Sequence, residues 1–257
     1  MKAVFLSELT WEETAKLDKE KTFCMIPISS IEQHGLHLPL GTDDIILEHV
    51  LKNINNLDLP VNALILILPV IKYGKSIEHL NFPGTISLQL STLIAITEDI
   101  IKSMNFNGFK QFILLNSHGG NTATLHSIVQ DLRFKYNVKI YNIDLWASSF
   151  FKGADSLIKT NIKNDIHAGE IETSLLSYIN LDYIRKNISQ ENLSTIVELN
   201  DYSNDWLSSD VSESGVMGDA TNISEKTGEE ISNYLMDKIE EILNLIMNSS
   251  KNYGSDF

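Results

Sequence analysis

A layered α/β fold built on a mostly parallel sheet is what the sequence predicts, from three observations. Short β-like runs alternate with helical patterns along the chain. The β-like runs are nearly continuous apolar stretches, as in parallel strands covered by helices on both faces. The densest polar clusters fall where such a run ends and a helix begins, the position at which open α/β sheets place their ligands.

The expected strands are residues 22–29, 63–68, 111–116 and 138–144, and the helices between them cover 42–55, 90–104 and 121–135. Two more helices announce their starts with a Thr three residues before a Glu, Thr10 with Glu13 and Thr227 with Glu230, the arrangement of a capping box. The last helix carries Ile231, Leu235, Ile239, Ile242 and Ile246 on one apolar face, for packing on the domain body or on a second subunit. Residues 201–228 are rich in Ser, Asp, Asn and Gly and read as a long ordered loop, and the tail 251–257 reads as frayed.

With 257 residues, 43% hydrophobic and 21% charged, the chain suits one domain spanning 1–257. Its longest apolar run, 61–70, is broken by Asn62 and Pro69 and is far short of the ~20 residues that cross a bilayer. The first residues lack the apolar stretch and small-residue site of a secretory leader, and the single cysteine, Cys24, suits the cytoplasm. Cys24 lies inside an apolar run and reads as a small buried residue. A formal net charge of −14 with two arginines, Arg133 and Arg185, excludes nucleic acid and anionic membranes as natural partners, because both demand basic patches.

Three clusters carry the chemistry. The first, SSIEQHGLHLPLGTDD, follows the 22–29 strand; Glu32 and His34 are two apart, so extended backbone points both to one side. Asp43 and Asp44 return at the start of the next helix. Mixed imidazole and carboxylate suits Zn²⁺ or Mn²⁺ better than Ca²⁺, the other reading being a polar loop with locally bonded histidines. The second, NSHGGN, puts His118 and two glycines, Gly119 and Gly120, between a strand and a helix, where they permit a sharp turn and close backbone approach to a ligand. The third, DIHAGEIETS, sets His167 just before a helix with Glu170 in its first turn. Four of the seven histidines thus lie beside carboxylates and glycines at strand or loop–helix junctions.

These segments resemble the signatures of the creatininase family. EQHGLHLPLGTD is similar to its EQHGPH-type segment; NFPGTISL, NSHGGN, HAGEIETS and the glycine-rich GVMGDATNISEKTG follow in the family's order. The resemblance implies a three-layer α/β/α fold, two divalent ions per chain (Zn, Mn or Fe), a small-molecule substrate and a homo-oligomer, most simply a hexamer. Carried over position by position, Glu32, Asp43 and His118 hold one ion, and His34 and Asp43 the other, with Asp43 bridging. A further family Glu falls on Gly120, and Glu170 is expected to replace it. Glu172, about 200° further round the helix, is expected behind the ligands, as is His37. His167 matches a substrate-facing histidine and is the expected catalytic acid; Trp146 matches a tryptophan of the substrate pocket.

Two departures qualify the match. Leu36 stands where proline is usual, and Lys163 stands where creatininase itself carries a tryptophan that sandwiches the creatinine ring. The implied activity is therefore metal-dependent hydrolysis of a non-peptide amide C–N bond, in a cyclic amide or a formamide, with creatinine a poor substrate. Within the family the alternatives are a peptidase trimming a modified peptide, a deformylase in cofactor synthesis, and a hydrolase of an oxidised cyclitol. Outside it stands a non-catalytic ligand-binding paralogue.

Overall fold

A computed structural model describes residues 2–60, 63–147, 149–151, 153–186 and 205–249. Its sheet has five strands, β1 (Ala3–Phe5), β2 (Thr22–Ile28), β3 (Leu64–Ile67), β4 (Gln111–Asn116) and β5 (Lys139–Asp144), in the order β1-β3-β2-β4-β5. Every pairing is parallel. β2 to β5 match the expected strands, whereas the three-residue edge strand β1 is too short to leave a periodic signal.

The helices are α1 (Trp11–Lys16), α2 (Thr42–Asn53), α3 (Leu90–Phe106), α4 (Thr122–Tyr136), α5 (Glu170–Ile179), α6 (Ser208–Val211) and α7 (Glu225–Ser249). They form two layers because alternate strand residues point to opposite faces. Phe23, Met25, Ile65, Ile67, Ile113 and Leu115 join one core with residues of α2, α5 and α7. Cys24, Ile26, Leu66, Phe112 and Leu114 join the other, with residues of α3 and α4. The three layers expected from the family are therefore present.

Thr10 and Glu13 form the expected capping box on α1. The expected box at Thr227 is corrected: α7 begins at Glu225, and the Ser224 hydroxyl accepts from the Thr227 N–H at 2.9 Å, so Thr227 already lies inside the helix. The apolar face of α7 also shifts. Ile231, Leu235, Ile239, Leu243 and Ile246 are buried, with Leu243 taking the central place expected of Ile242. The expected 201–228 loop contains α6 and a 3₁₀ turn at Ala220–Asn222; residues 201–204 and the 251–257 tail lie outside the described residues.

The chain runs from β2 out to β3 and then back across to β4, so the sheet order reverses between the C-terminal ends of β2 and β4. That reversal opens a crevice, and the polar segments after β2 and β4 meet there.

Candidate metal centre

The loop after β2 carries Glu32 and His34 and leads into α2, whose first turn supplies Asp43. β4 ends at Asn116, and His118 follows two residues later, fixed by exchange with Asn116: the Asn116 amide donates to the His118 carbonyl and its oxygen accepts from the His118 N–H. His167 is held by paired backbone bonds with Met217. Ala168 then takes a left-handed conformation (φ 53°), which turns the chain into α5 and directs Glu172 inward. Such a backbone costs a non-glycine residue about 1–2 kcal/mol.

Three histidines have one ring nitrogen committed to a backbone carbonyl, which can only accept. His34 Nδ1 donates to the Glu32 carbonyl at 3.2 Å, His118 Nε2 to the Lys75 carbonyl at 3.0 Å, and His167 Nε2 to the Gln33 carbonyl at 2.6 Å. Their other nitrogens all face carboxylates. His34 Nε2 lies 3.5 Å from Asp43 Oδ1 and 3.8 Å from Glu172 Oε2. His118 Nδ1 lies 3.1 Å from Glu32 Oε2 and 3.4 Å from Asp43 Oδ2, and His167 Nδ1 lies 3.7 Å from Glu32 Oε1. A nitrogen lone pair aimed at a carboxylate oxygen is repulsive unless a proton or a cation lies between them.

The electrostatics say the same. Burial opposes charge on His34, yet Glu172 and Asp43 raise its pKa well above the usual histidine range. Burial likewise opposes charge on His118, and Glu32 with Asp43 overcomes it. Glu32 is fully buried, but the imidazoles of His118, His79 and His167 hold its carboxyl well below the ordinary range. The cluster is built to contain positive charge. His34 Nε2 and Asp43 Oδ2 are moreover buried without a hydrogen-bond partner, a costly state for polar atoms unless a cation takes them up.

Two triads present donors close enough for a metal ion: Glu32, Asp43 and His118, and His34, Asp43 and Glu172. Asp43 belongs to both and turns one oxygen toward each histidine. A third grouping, Glu32, His34 and His167, shares one residue with each of them. The donor set fits divalent transition metals, which imidazole and carboxylate together favour.

The expectation for Glu170 is corrected. Its carboxylate accepts from the N–H groups of Lys159 and Thr160 and from the Thr160 hydroxyl, and so serves as a structural anchor. Glu172 takes the inward place instead. The helix start explains the reversal: Asp165 accepts from the N–H groups of Glu170 and Ile171, setting the phase of α5 so that its third residue faces the crevice. Burial pushes the Asp165 carboxyl up to about 7. His37 is buried beside the site, with Nε2 hydrogen-bonded to the Thr173 hydroxyl at 2.9 Å; burial, then His34, pushes its pKa down to about 4.

Several further neighbours complete the cluster. His79 receives the Gln33 side-chain amide on Nδ1 at 2.8 Å, so its Nε2 carries the proton and faces Glu32 Oε1 at 3.5 Å. Burial, then His167, pushes the His79 pKa down to about 2. Ser76 donates to Glu32 Oε2 at 2.7 Å. A sequence signal for them was available in part, because His79 stands two residues before the NFPGTISL segment. The cluster opens into a cavity of about 500 Å³ lined by Gly119, Gly120, Trp146, His167 and Met217, and by Trp206. Lys163 is exposed and is not among the lining residues.

A family model described as creatinine amidohydrolase matches residues 7–243. The chain is 29% identical to the mycofactocin precursor peptide peptidase of Mycolicibacterium smegmatis, over 88% of this chain and 86% of that protein. It is 33% identical to the creatinine amidohydrolase of Pseudomonas putida, over 47% of each. Among solved structures, a manganese creatininase superposes with a TM-score of 0.74 at 23% identity, covering 96% of this chain and 99% of that one. A putative creatinine amidohydrolase from Bacteroides fragilis superposes with a TM-score of 0.77 at 20% identity, covering 99% and 98%. With its ordered motifs, its parallel sheet and a family match along nearly its whole length, this chain belongs to the creatininase family of hydrolases.

Proposed function

We propose that this protein hydrolyses an amide-type C–N bond other than that of creatinine, using two divalent ions, Zn²⁺, Mn²⁺ or Fe²⁺. Glu32, Asp43 and His118 would hold one ion, and His34, Asp43 and Glu172 the other. The observation that carries this reading is Asp43, one oxygen turned to each triad and one of them buried without a partner. Divalent ions held there would supply Lewis-acid chemistry, lowering the pKa of water and polarising the scissile carbonyl.

The protein's own groups then divide the work. His79 and Ser76 orient Glu32, and the backbone carbonyls fix the histidine tautomers, so the donor atoms need little rearrangement. His167 has a lone pair on Nδ1, and burial followed by His34 lowers its pKa, so it is neutral at pH 7. Neutral His167 can take the proton released by the attacking water on Nδ1 and pass it to the amide nitrogen as that bond breaks. The expected acid thus starts the cycle as a base. Trp146, Gly119 and Gly120 would border the substrate.

The leading substrate is a cyclic amide or a formamide. A peptidase reading is favoured by one observation: the peptide peptidase relatives align along most of this chain, whereas the creatinine amidohydrolase aligns along about half. A non-catalytic paralogue would be expected to have lost donors, and both triads are complete. We further propose a homo-oligomer, with a hexamer favoured, and a cytoplasmic setting; among the described residues no helix is long and apolar enough to cross a membrane. Phe106 and Phe134, 92% and 93% exposed, are available to such an interface. The test is a screen of Mn²⁺- or Zn²⁺-loaded protein against creatinine, formylaminopyrimidines, small lactams and short peptides. Turnover of none of them, with both ions bound, would overturn the reading.

A further inference from the structure

Gly120 has no side chain, and its backbone is not the reason, since its φ is not positive. Space is the reason. A Cβ there would fall 2.1 Å from Glu78 Oε1, 2.4 Å from His118 Nε2 and 2.5 Å from the Lys75 carbonyl oxygen. Glu78 arrives from the 3₁₀ turn Ile77–His79 and is only 14% exposed. Its second oxygen is ion-paired to Lys75 Nζ at 2.8 Å. The Lys75 carbonyl accepts from His118 Nε2 at 3.0 Å, and Glu78 Oε1 lies 3.8 Å from the same nitrogen.

We propose that Glu78 is a positioning residue for His118: from a separate segment, it supplies the carboxylate for which Gly120 leaves room, and Lys75 holds it there. This rests on the metal reading of the site. A histidine that offers Nδ1 to a metal needs its Nε2–H directed elsewhere, and an adjacent carboxylate both fixes the ring and makes the ligating nitrogen more basic. Glu78 and the Lys75 carbonyl together form that backing. The ammonium of Lys75, 2.8 Å from the other carboxylate oxygen, holds Glu78 turned inward. Glu78 itself belongs to neither triad, so its effect passes through His118.

The experiment is Mn²⁺ titration of the metal-stripped full chain, with free ion read from its EPR signal, for wild type, Glu78→Gln, Glu78→Asp and Lys75→Met. Glu78→Gln should weaken uptake about 10- to 100-fold at one site, the usual effect of losing an outer partner of a metal-bound histidine. Glu78→Asp, which keeps the charge, should recover part of that loss, and Lys75→Met should lose less than Glu78→Gln. In a His118→Ala background, Glu78→Gln should change the remaining affinity by less than about twofold, because coupled residues lose their effects together. Circular dichroism melts establish that each variant is folded. Wild-type uptake with an unaltered Glu78→Gln, or an equal loss with and without His118, overturns the proposal alone. No uptake by wild type overturns the metal reading, and this inference with it.

Discussion

Glu172 Oε2 comes within 3.8 Å of His34 Nε2, while Glu170, two residues earlier on the same helix, gives its carboxylate to the backbone of Lys159 and Thr160. Two buried glutamates in one helical turn thus have separate duties. Glu172→Gln should lower metal content at the His34 site and leave the fold intact. Glu170→Gln should keep the metal and reduce stability by about 2 kcal/mol, because hydrogen bonds to a buried charged group are lost. Elemental analysis and thermal melts of the two variants separate these effects. Metal loss in the Glu170 variant with none in the Glu172 variant would reverse the assignment.

Asp43 and Asp44 make a similar contrast. Asp43→Ala should lose ions from both triads, since it belongs to each. Asp44 is buried and pairs with the half-exposed Lys72 at 2.7 Å, so Asp44→Ala should keep its metal and cost about 1.5–3 kcal/mol of stability. Equal metal content in the two variants would count against a bridging Asp43.

Metal binding should also stabilise the fold, because the unfolded chain does not assemble the site. An ion present at a hundredfold over its dissociation constant adds about 2.7 kcal/mol. The melting temperature of metal-stripped protein should therefore rise on adding Mn²⁺ or Zn²⁺ and fall back with a chelator. Identical melts under both conditions would contradict the site.

Much of this arrangement was legible in the sequence, for a physical reason. Strands buried on both faces must be apolar throughout, so β2 and β4 declare themselves, and their C-terminal ends fix where a site can form. The clusters that hold Glu32, His34, Asp43, His118 and His167 stand out at those ends, while the roles of these residues come from the family resemblance. The choice between Glu170 and Glu172 was not legible, because it depends on the phase of α5, which Asp165 and the left-handed Ala168 set through local backbone bonds that leave no periodic pattern. His79 and Glu78 were equally hidden. They act across the crevice from a short 3₁₀ turn that has no periodicity to read.

Cys24 should be silent toward thiol reagents in the folded protein. It is fully buried in β2, and burial pushes its thiol up to about 12. Since the thiolate is the reactive form, a disulfide-exchange reagent at pH 8 should label it only after denaturation. Rapid labelling of native protein would mean that the core on this face of the sheet opens readily.

Creatinine should be a poor substrate, and the structure sharpens the reason. By the family resemblance, a second tryptophan of creatininase falls on Lys163, which is exposed and is not among the cavity-lining residues. The second tryptophan of this cavity is Trp206, from the segment before α6. That segment is fastened to the site, because Ser208 bonds His79 at 2.8 Å and His79 faces Glu32. On that resemblance, the second aromatic wall comes from a different part of the chain, and a flat ring seated on Trp146 would lack the partner it implies. Stacking is worth about 0.5–1.5 kcal/mol beyond area burial, which is roughly tenfold at most. Its loss should therefore weaken creatinine turnover without abolishing it. Steady-state kinetics with Mn²⁺ or Zn²⁺ present should give a kcat/KM below the ~10⁴ M⁻¹s⁻¹ of an efficient enzyme. For whichever substrate the screen identifies, Trp206→Ala should raise KM while metal content stays unchanged. Efficient creatinine hydrolysis, or a Trp206→Ala variant with unaltered KM, would show that the cavity wall does not determine the substrate.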